Sequence, residues 1–347
     1  FRSLYQLVVR VKEHQVKFRS TDSRHRMKHK FLVWIWLISA VLTGCGGGGG
    51  GSTQDAAPGG GSTTTVNVFV TGANSGLSYP KLMAFLGSDL YVVDANSATS
   101  PATGTVVKFD SAGVRQSSIG SFIDPVGIAF FSNGTTFVTG RNPLAGTGLL
   151  ELNRSTGGIT DRITNINPYG IAINTVNNDA IYVAAPSANK VYIYNSAFSS
   201  VGTVGGVSVA NGPTGLAFDS AQSKIYVTRN DGGTHGVDQI DTTSVSSAAV
   251  AFATSALFDK PSGIAVRSTP HEIYVVNTGT TETQSGVLKI SSDGSSVTQF
   301  LTAANADHKL CSPVGAAISG NDLYIINGNC TASPNNAYAR AILKVPL

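Results

Sequence analysis

The chain has 347 residues and a formal net charge of +4, but that charge is unevenly placed. Residues 1–44 hold nine Lys/Arg against two acidic side chains, whereas from Cys45 onward fifteen face eighteen, a net of −3. The larger part therefore carries no basic footprint for nucleic acid, and its wealth of Gly, Ser, Thr, Asn, Val and Ile favours strands and turns over helices.

Residues 1–26 read as an upstream translated segment, not as a folded element. From Met27 the order is a short basic group (Lys28, His29, Lys30), an apolar run from Phe31 to Leu42, and Leu42-Thr43-Gly44-Cys45. An apolar run of that length is too short to span a bilayer and reads as a secretory signal. With its Leu-Thr-Gly-Cys ending, the stretch resembles the bacterial lipoprotein signal. The resemblance implies a signal peptide over 27–44, cleavage before Cys45, and lipid on that thiol and the new amino terminus. Gly46, where Asp would signal inner-membrane retention, implies outer-membrane delivery within the cell envelope. Residues 45–65, with six consecutive glycines from Gly46, form a flexible tether with a reach of about 25 Å.

From residue 66 to 347 one pattern repeats six times with a period of 43 to 52 residues. Each unit opens at a proline: Pro80, Pro125, Pro168, Pro213, Pro261 and Pro313. Five openings read Pro-x-Gly; the first, Pro80-Lys81-Leu82, has lost the glycine. Ala84, Ala129, Ala172, Ala217, Ala265 and Ala317 follow two residues after the glycine position. Small residues there suit the innermost strand of a blade, where backbones crowd at an axis. A second apolar run carries an aromatic in the same place each time: Tyr91, Phe137, Tyr182, Tyr226, Tyr274 and Tyr324. This placement reads as packing between neighbours. Third runs follow in every unit and fourth runs in five. The sixth unit lacks a fourth run, and 66–70 supplies one from the other end of the sequence. The expected fold is all-β: a six-bladed β-propeller of four-stranded antiparallel blades, closed by an N-terminal strand.

Pro-x-Gly-Ile-Ala followed by Ile-Tyr-Val-x-Asn resembles the NHL, YVTN-type and gluconolactonase-like six-bladed propellers over residues 66–347. That fold hosts binding modules, scaffolds and hydrolases alike. Strand alternation places the links between second and third strands on one face, at 94–105, 140–148, 185–190, 229–236, 277–286 and 327–340. These are long and polar, so this rim is the expected binding surface. Its candidate residues are Asp94, Arg141, Asn142, Arg229, Asn230, His235, Asn277 and Asn327.

The resemblance implies that a calcium-dependent lactonase would place Asn, Asp and Glu around the central channel. Here the residue between Pro and Gly is Val126, Tyr169, Thr214, Ser262 or Val314. The second-strand ends contribute one carboxylate and two amides, with Arg229 opposing a cation, which is thin for Ca²⁺. Asp94, Asn277 and Asn327 read instead as caps on loop backbone. No cofactor is expected. The favoured function is a lipid-anchored, non-enzymatic binding or scaffold module, monomeric, contacting an envelope protein or glycan. The alternative is a lactonase- or hydrolase-like enzyme with a metal at the channel. Cys311 and Cys330 are the thiols left once Cys45 is lipidated. They fall in two links on the same face of the sixth unit, so a disulfide between them is expected.

Overall fold

The computed structural model describes residues 64–141, 146–204, 212–230, 235–244, 247–280, 284–303, 306–307, 309–330 and 335–347. The upstream segment, the signal peptide, Cys45 and nearly all of the tether lie outside them, as does Asn142.

The described residues form a six-bladed propeller of four-stranded antiparallel blades. Strand β1 (Asn67–Val70) leads into a single helical turn, α1 (Gly72–Ser75), capped by the Thr71 hydroxyl and ended by Gly76 at φ 59°. The first blade is β2 (Pro80–Leu86), β3 (Asp89–Asp94), β4 (Thr103–Phe109) and β5 (Arg115–Ile123). The second is β6 (Ile128–Phe130), β7 (Thr136–Arg141), β8 (Thr147–Leu152) and β9 (Ile159–Thr164). The third is β10 (Ile171–Asn174), β11 (Ala180–Ala185), β12 (Lys190–Tyr194) and β13 (Ser200–Val204). The fourth is β14 (Pro213–Asp219), β15 (Lys224–Arg229), β16 (Gly236–Asp241) and β17 (Ala249–Thr254). The fifth is β18 (Pro261–Arg267), β19 (Glu272–Asn277), β20 (Gly286–Ile290) and β21 (Val297–Thr302). The sixth has β22 (Pro313–Ser319), β23 (Asp322–Asn327) and β24 (Ile342–Pro346) from its own repeat. Its outer strand is β1, antiparallel to β24 with Asn67 opposite Lys344.

The first strands of the blades, β2, β6, β10, β14, β18 and β22, neighbour one another in turn around the axis. The Pro-x-Gly opening explains how they fit. A Cβ on Gly170 would lie 2.2 Å from the Thr214 carbonyl oxygen, and one on Gly215 2.2 Å from that of Ser262. Gly263 faces Gly315, and Gly315 faces the Lys81 carbonyl, so the glycine surface of each opening lies on the next blade. The opening is also a recurrent bulge. Between Pro261 and Ile264 the inner strand advances three residues while its partner advances two, from Asn277 to Val275. The same shift occurs between Pro80 and Met83 and between Pro213 and Leu216. Simple alternation does not anticipate this extra residue, which re-aims the side chains around the axis.

Six hydrophobic clusters lie between consecutive blades, and each contains the second-strand aromatic of the earlier blade. Tyr182 packs with Leu216 and Ile225, Tyr226 with Ile264 and Ile273, and Tyr274 with Ala316 and Leu323. Tyr324 meets Phe85 edge-on across the seam, with ring centroids 4.8 Å apart. Such pairs contribute about 0.5–1.5 kcal/mol beyond the area they bury. These aromatics are packing elements, as their repetition in the sequence suggests.

Candidate axial binding site

The two mouths of the central channel differ in chemistry. On the face of the short first-to-second-strand turns, a depression of about 450 Å³ is lined largely by apolar side chains, among them Phe85, Phe130, Leu216 and Phe218. On the opposite face, that of the long links, a pocket of about 370 Å³ opens at the axis. Its lining comes from three recurring places in the blades. The middle residues of the openings supply Lys81, Tyr169, Ser262 and Val314. The residues just before those openings supply Tyr79, Lys260 and Ser312. The positions after the second-strand ends supply Asn230, Thr278, Gly328 and Asn329.

Part of this polar surface is committed to holding blades together. The Ser262 hydroxyl donates to the Val314 carbonyl at 3.0 Å, and Thr278 donates to that of Pro313 at 3.2 Å. The Asn329 amide donates to the Ser78 carbonyl across the seam at 2.9 Å. Lys81 and Tyr79 form a different kind of contact, with the ammonium 4.5 Å from the ring centroid. Burial lowers the Lys81 pKa, while the nearby Asp124 carboxylate pulls it back up. Burial, with the Tyr79 phenol as a lesser influence, raises that of the Tyr169 hydroxyl. Asp124 itself accepts from Ser100 Oγ and the Ala102 amide, both at 2.7 Å.

The structure treats the eight sequence-selected rim residues unequally. Asp94, Arg229, Asn277 and Asn327 are buried, and four residues with so little access to solvent make no binding rim. Asp94 caps the Ser78 and Tyr79 amides at 2.8 and 2.6 Å. Asn277 donates to the Leu257 carbonyl, and Asn327 clasps the Lys309 and Tyr338 carbonyls while accepting from the Cys311 amide. Arg229 pairs through Nε with Asp238 at 3.0 Å, within the fourth blade. Burial raises the Asp238 pKa to about 6 even though Arg229 opposes the shift. Asn230 does line the axial pocket. His235 is half-buried just before β16 and is not part of that lining, while Arg141 ends β7 with its side chain outside the described set.

Sequence reasoning thus missed Lys81, Tyr79, Lys260 and Thr278 as pocket residues, and took Tyr169 and Ser262 only as failed metal ligands. The available signal was the alternation itself. Second-strand ends turn into the blade, so the next residue is the one that reaches the axis. Cys311 and Cys330 are joined in the structure, with Cα atoms 5.9 Å apart, and cluster with Ala339. Among the described residues no three of His, Cys, Asp and Glu come together as metal ligands would. His271, on the short-turn face, instead ties blade five to blade four through Asp219 at 3.0 Å.

By sequence, no protein-family model and no curated protein matches the chain. Solved structures do match in fold. An auxiliary nutrient binding protein from Bacteroides thetaiotaomicron superposes with a TM-score of 0.61 at 13% identity, covering 81% of this chain and 75% of that one. A PQQ-bound aldose sugar dehydrogenase from Streptomyces coelicolor gives 0.59 at 14% identity, over 81% and 98%. A gluconolactonase from Xanthomonas campestris gives 0.56 at 13%, over 81% and 89%. The chain shares its propeller fold with these proteins.

Proposed function

We propose that this chain is a lipid-anchored protein of the bacterial envelope whose propeller binds its ligand, without catalysis, in the axial pocket on the long-link face. The observation that carries this reading is the pocket lining. It holds ammonium, phenol, amide and hydroxyl groups, with no Asp or Glu among its described residues. Such groups bind and orient, whereas a Ca²⁺-assisted hydrolase needs six to eight oxygen ligands and usually several carboxylates. Sharing a fold with a nutrient binding protein is compatible with this role, and sharing one with a gluconolactonase keeps the enzymatic alternative concrete. Cys45 would carry the lipid at the outer membrane, and residues 45–65 would hold the domain clear of the headgroups. A pocket of this size suits a glycan fragment better than a protein surface.

Two measurements test the proposal. Mass spectrometry of the membrane-extracted protein should find acyl chains on an amino-terminal Cys45, lost in Cys45→Ala. The purified propeller should hold no stoichiometric Ca²⁺ and should not open simple sugar lactones. A bound axial Ca²⁺ with lactone turnover would replace this function with the hydrolase.

A further inference from the structure

We infer that the axial pocket takes a small hydroxylated carboxylate, with the carboxylate on the Lys81 ammonium and the hydroxyls on the phenols and amide around it. This rests on the axial pocket being the ligand site, and adds what the ligand must be.

Some polar groups of the pocket are already committed to the fold. Ser262, Thr278 and Asn329 already bond to backbone carbonyls of neighbouring blades. Among the described residues, no hydrogen bond or ion pair engages the Lys81 and Lys260 ammonium groups, the Tyr79 and Tyr169 hydroxyls or the Asn230 side chain. All five residues line the same pocket. The groups without a hydrogen bond or ion pair are therefore two cations, two phenols and one amide, with no anion, and the Lys81 ammonium is held among them over the Tyr79 ring. A partly buried ammonium is stabilised by a paired anion, and phenols and an amide offer both donors and acceptors to hydroxyl groups. Lys81 is the half-buried cation and Lys260 the exposed one. Asp124 is the carboxylate felt by Lys81, and it is held from its own side by Ser100 and Ala102. One half-buried cation beside that carboxylate matches a monoanion better than a phosphate dianion.

Calorimetry on the purified propeller with glucuronate, glucose, acetate and glucose 6-phosphate tests this. Glucuronate should bind at least about tenfold more tightly than each of the other three. Lys81→Met should weaken glucuronate about tenfold or more and Lys81→Arg much less, while exposed Lys260→Met should cost only about two- to threefold. Melting temperatures matching the unsubstituted protein would establish that the variants are folded. Equal binding of glucose, tighter binding of glucose 6-phosphate, no heat with glucuronate at about 20 mM, or an unaffected Lys81→Met would each overturn the inference. A neutral sugar whose binding is lost in Asn230→Ala but kept in Lys81→Met would remove the anion and leave the pocket as the binding site. Binding indifferent to both substitutions would remove the pocket as well.

Discussion

The Thr228 hydroxyl lies 3.2 Å from the Ser262 carbonyl of the next blade, and the same oxygen accepts the Gly215 amide of its own blade at 2.7 Å. One buried hydroxyl thus satisfies an amide freed by the bulged opening and fastens blade four to blade five. Thr139 does the same two interfaces earlier, between blades two and three, accepting from Gly127 at 2.8 Å and donating to the Tyr169 carbonyl. At the interface after blade three, where the equivalent residue is Ala184, the Gly170 amide donates directly to Thr214 at 3.1 Å.

Thr228→Val keeps the shape and removes the hydroxyl, leaving the Gly215 amide without its side-chain acceptor. The expected cost is about 1–3 kcal/mol, read as a lower urea midpoint with an unchanged slope. An unchanged midpoint would mean the backbone closes the gap by itself.

These hydroxyls show where the sequence is readable and where it is not. The ring of six, the aromatic at every interface and the closure by 66–70 were legible because each recurs, or is missing once and supplied elsewhere. Tyr274 and Tyr324 announce their role by position alone. The pocket was less legible because it is made from the positions at which the repeats differ. Lys81 sits in the one opening without a glycine, and nothing in its neighbours identifies it as a pocket residue. The bulge beside Pro261 adds a residue that alternation does not count, and Asn277 was read as rim when Thr278 is the one that lines the pocket. Spatial partners such as Asp238 for Arg229 depend on strand register, which the sequence shows only approximately.

Two carboxyl groups should respond to acid in opposite senses. Burial pushes Glu272 upward, but Lys289 at 2.6 Å, Tyr274 at 3.0 Å and Arg267 together hold its pKa below the usual value. A depressed carboxyl contributes stability at neutral pH that is lost as pH falls through its folded-state pKa. The advantage of the unsubstituted protein over Glu272→Gln should therefore be present at pH 7 and shrink below about pH 4. Asp238, raised to about 6 by burial, binds its proton more tightly folded than unfolded. The unsubstituted protein should then gain on Asp238→Asn as pH falls from about 6 to about 4. Urea midpoints measured across that range decide both signs. A pH-independent difference for either variant would discard its assignment.

The Cys311–Cys330 bond closes a segment with a sequence separation of 19 residues, and both cysteines are almost fully buried. Its removal in Cys311→Ser/Cys330→Ser should cost about 3 kcal/mol by loop-closure entropy. The loss should be small at Asn277 in blade five and large at Asn327, whose side chain holds the Lys309 and Tyr338 carbonyls beside the bond. Amide hydrogen exchange would read this as faster exchange at Cys311 and its neighbours. Two titratable thiols in the denatured, non-reduced protein would show that the bond does not form in solution.

β1 covers the edge of β24, and the cluster between blades six and one includes Val70 with Phe69 packed against it. Phe69 meets Tyr324 edge-on at 5.1 Å, so the strand supplies side chains as well as ladder hydrogen bonds. Removing residues 1–63 leaves all of these contacts in place, and the shortened protein should melt as the longer one does. Removing 66–71 as well takes away the strand and bares the backbone groups of β24, which can then pair with a second molecule. The expected result is a lower melting temperature together with oligomers that grow with protein concentration in light scattering. A synthetic peptide spanning 64–72, added in excess, should restore the monomer by refilling the edge. A monomeric deletion variant with unchanged melting would show that the ring holds without its N-terminal strand.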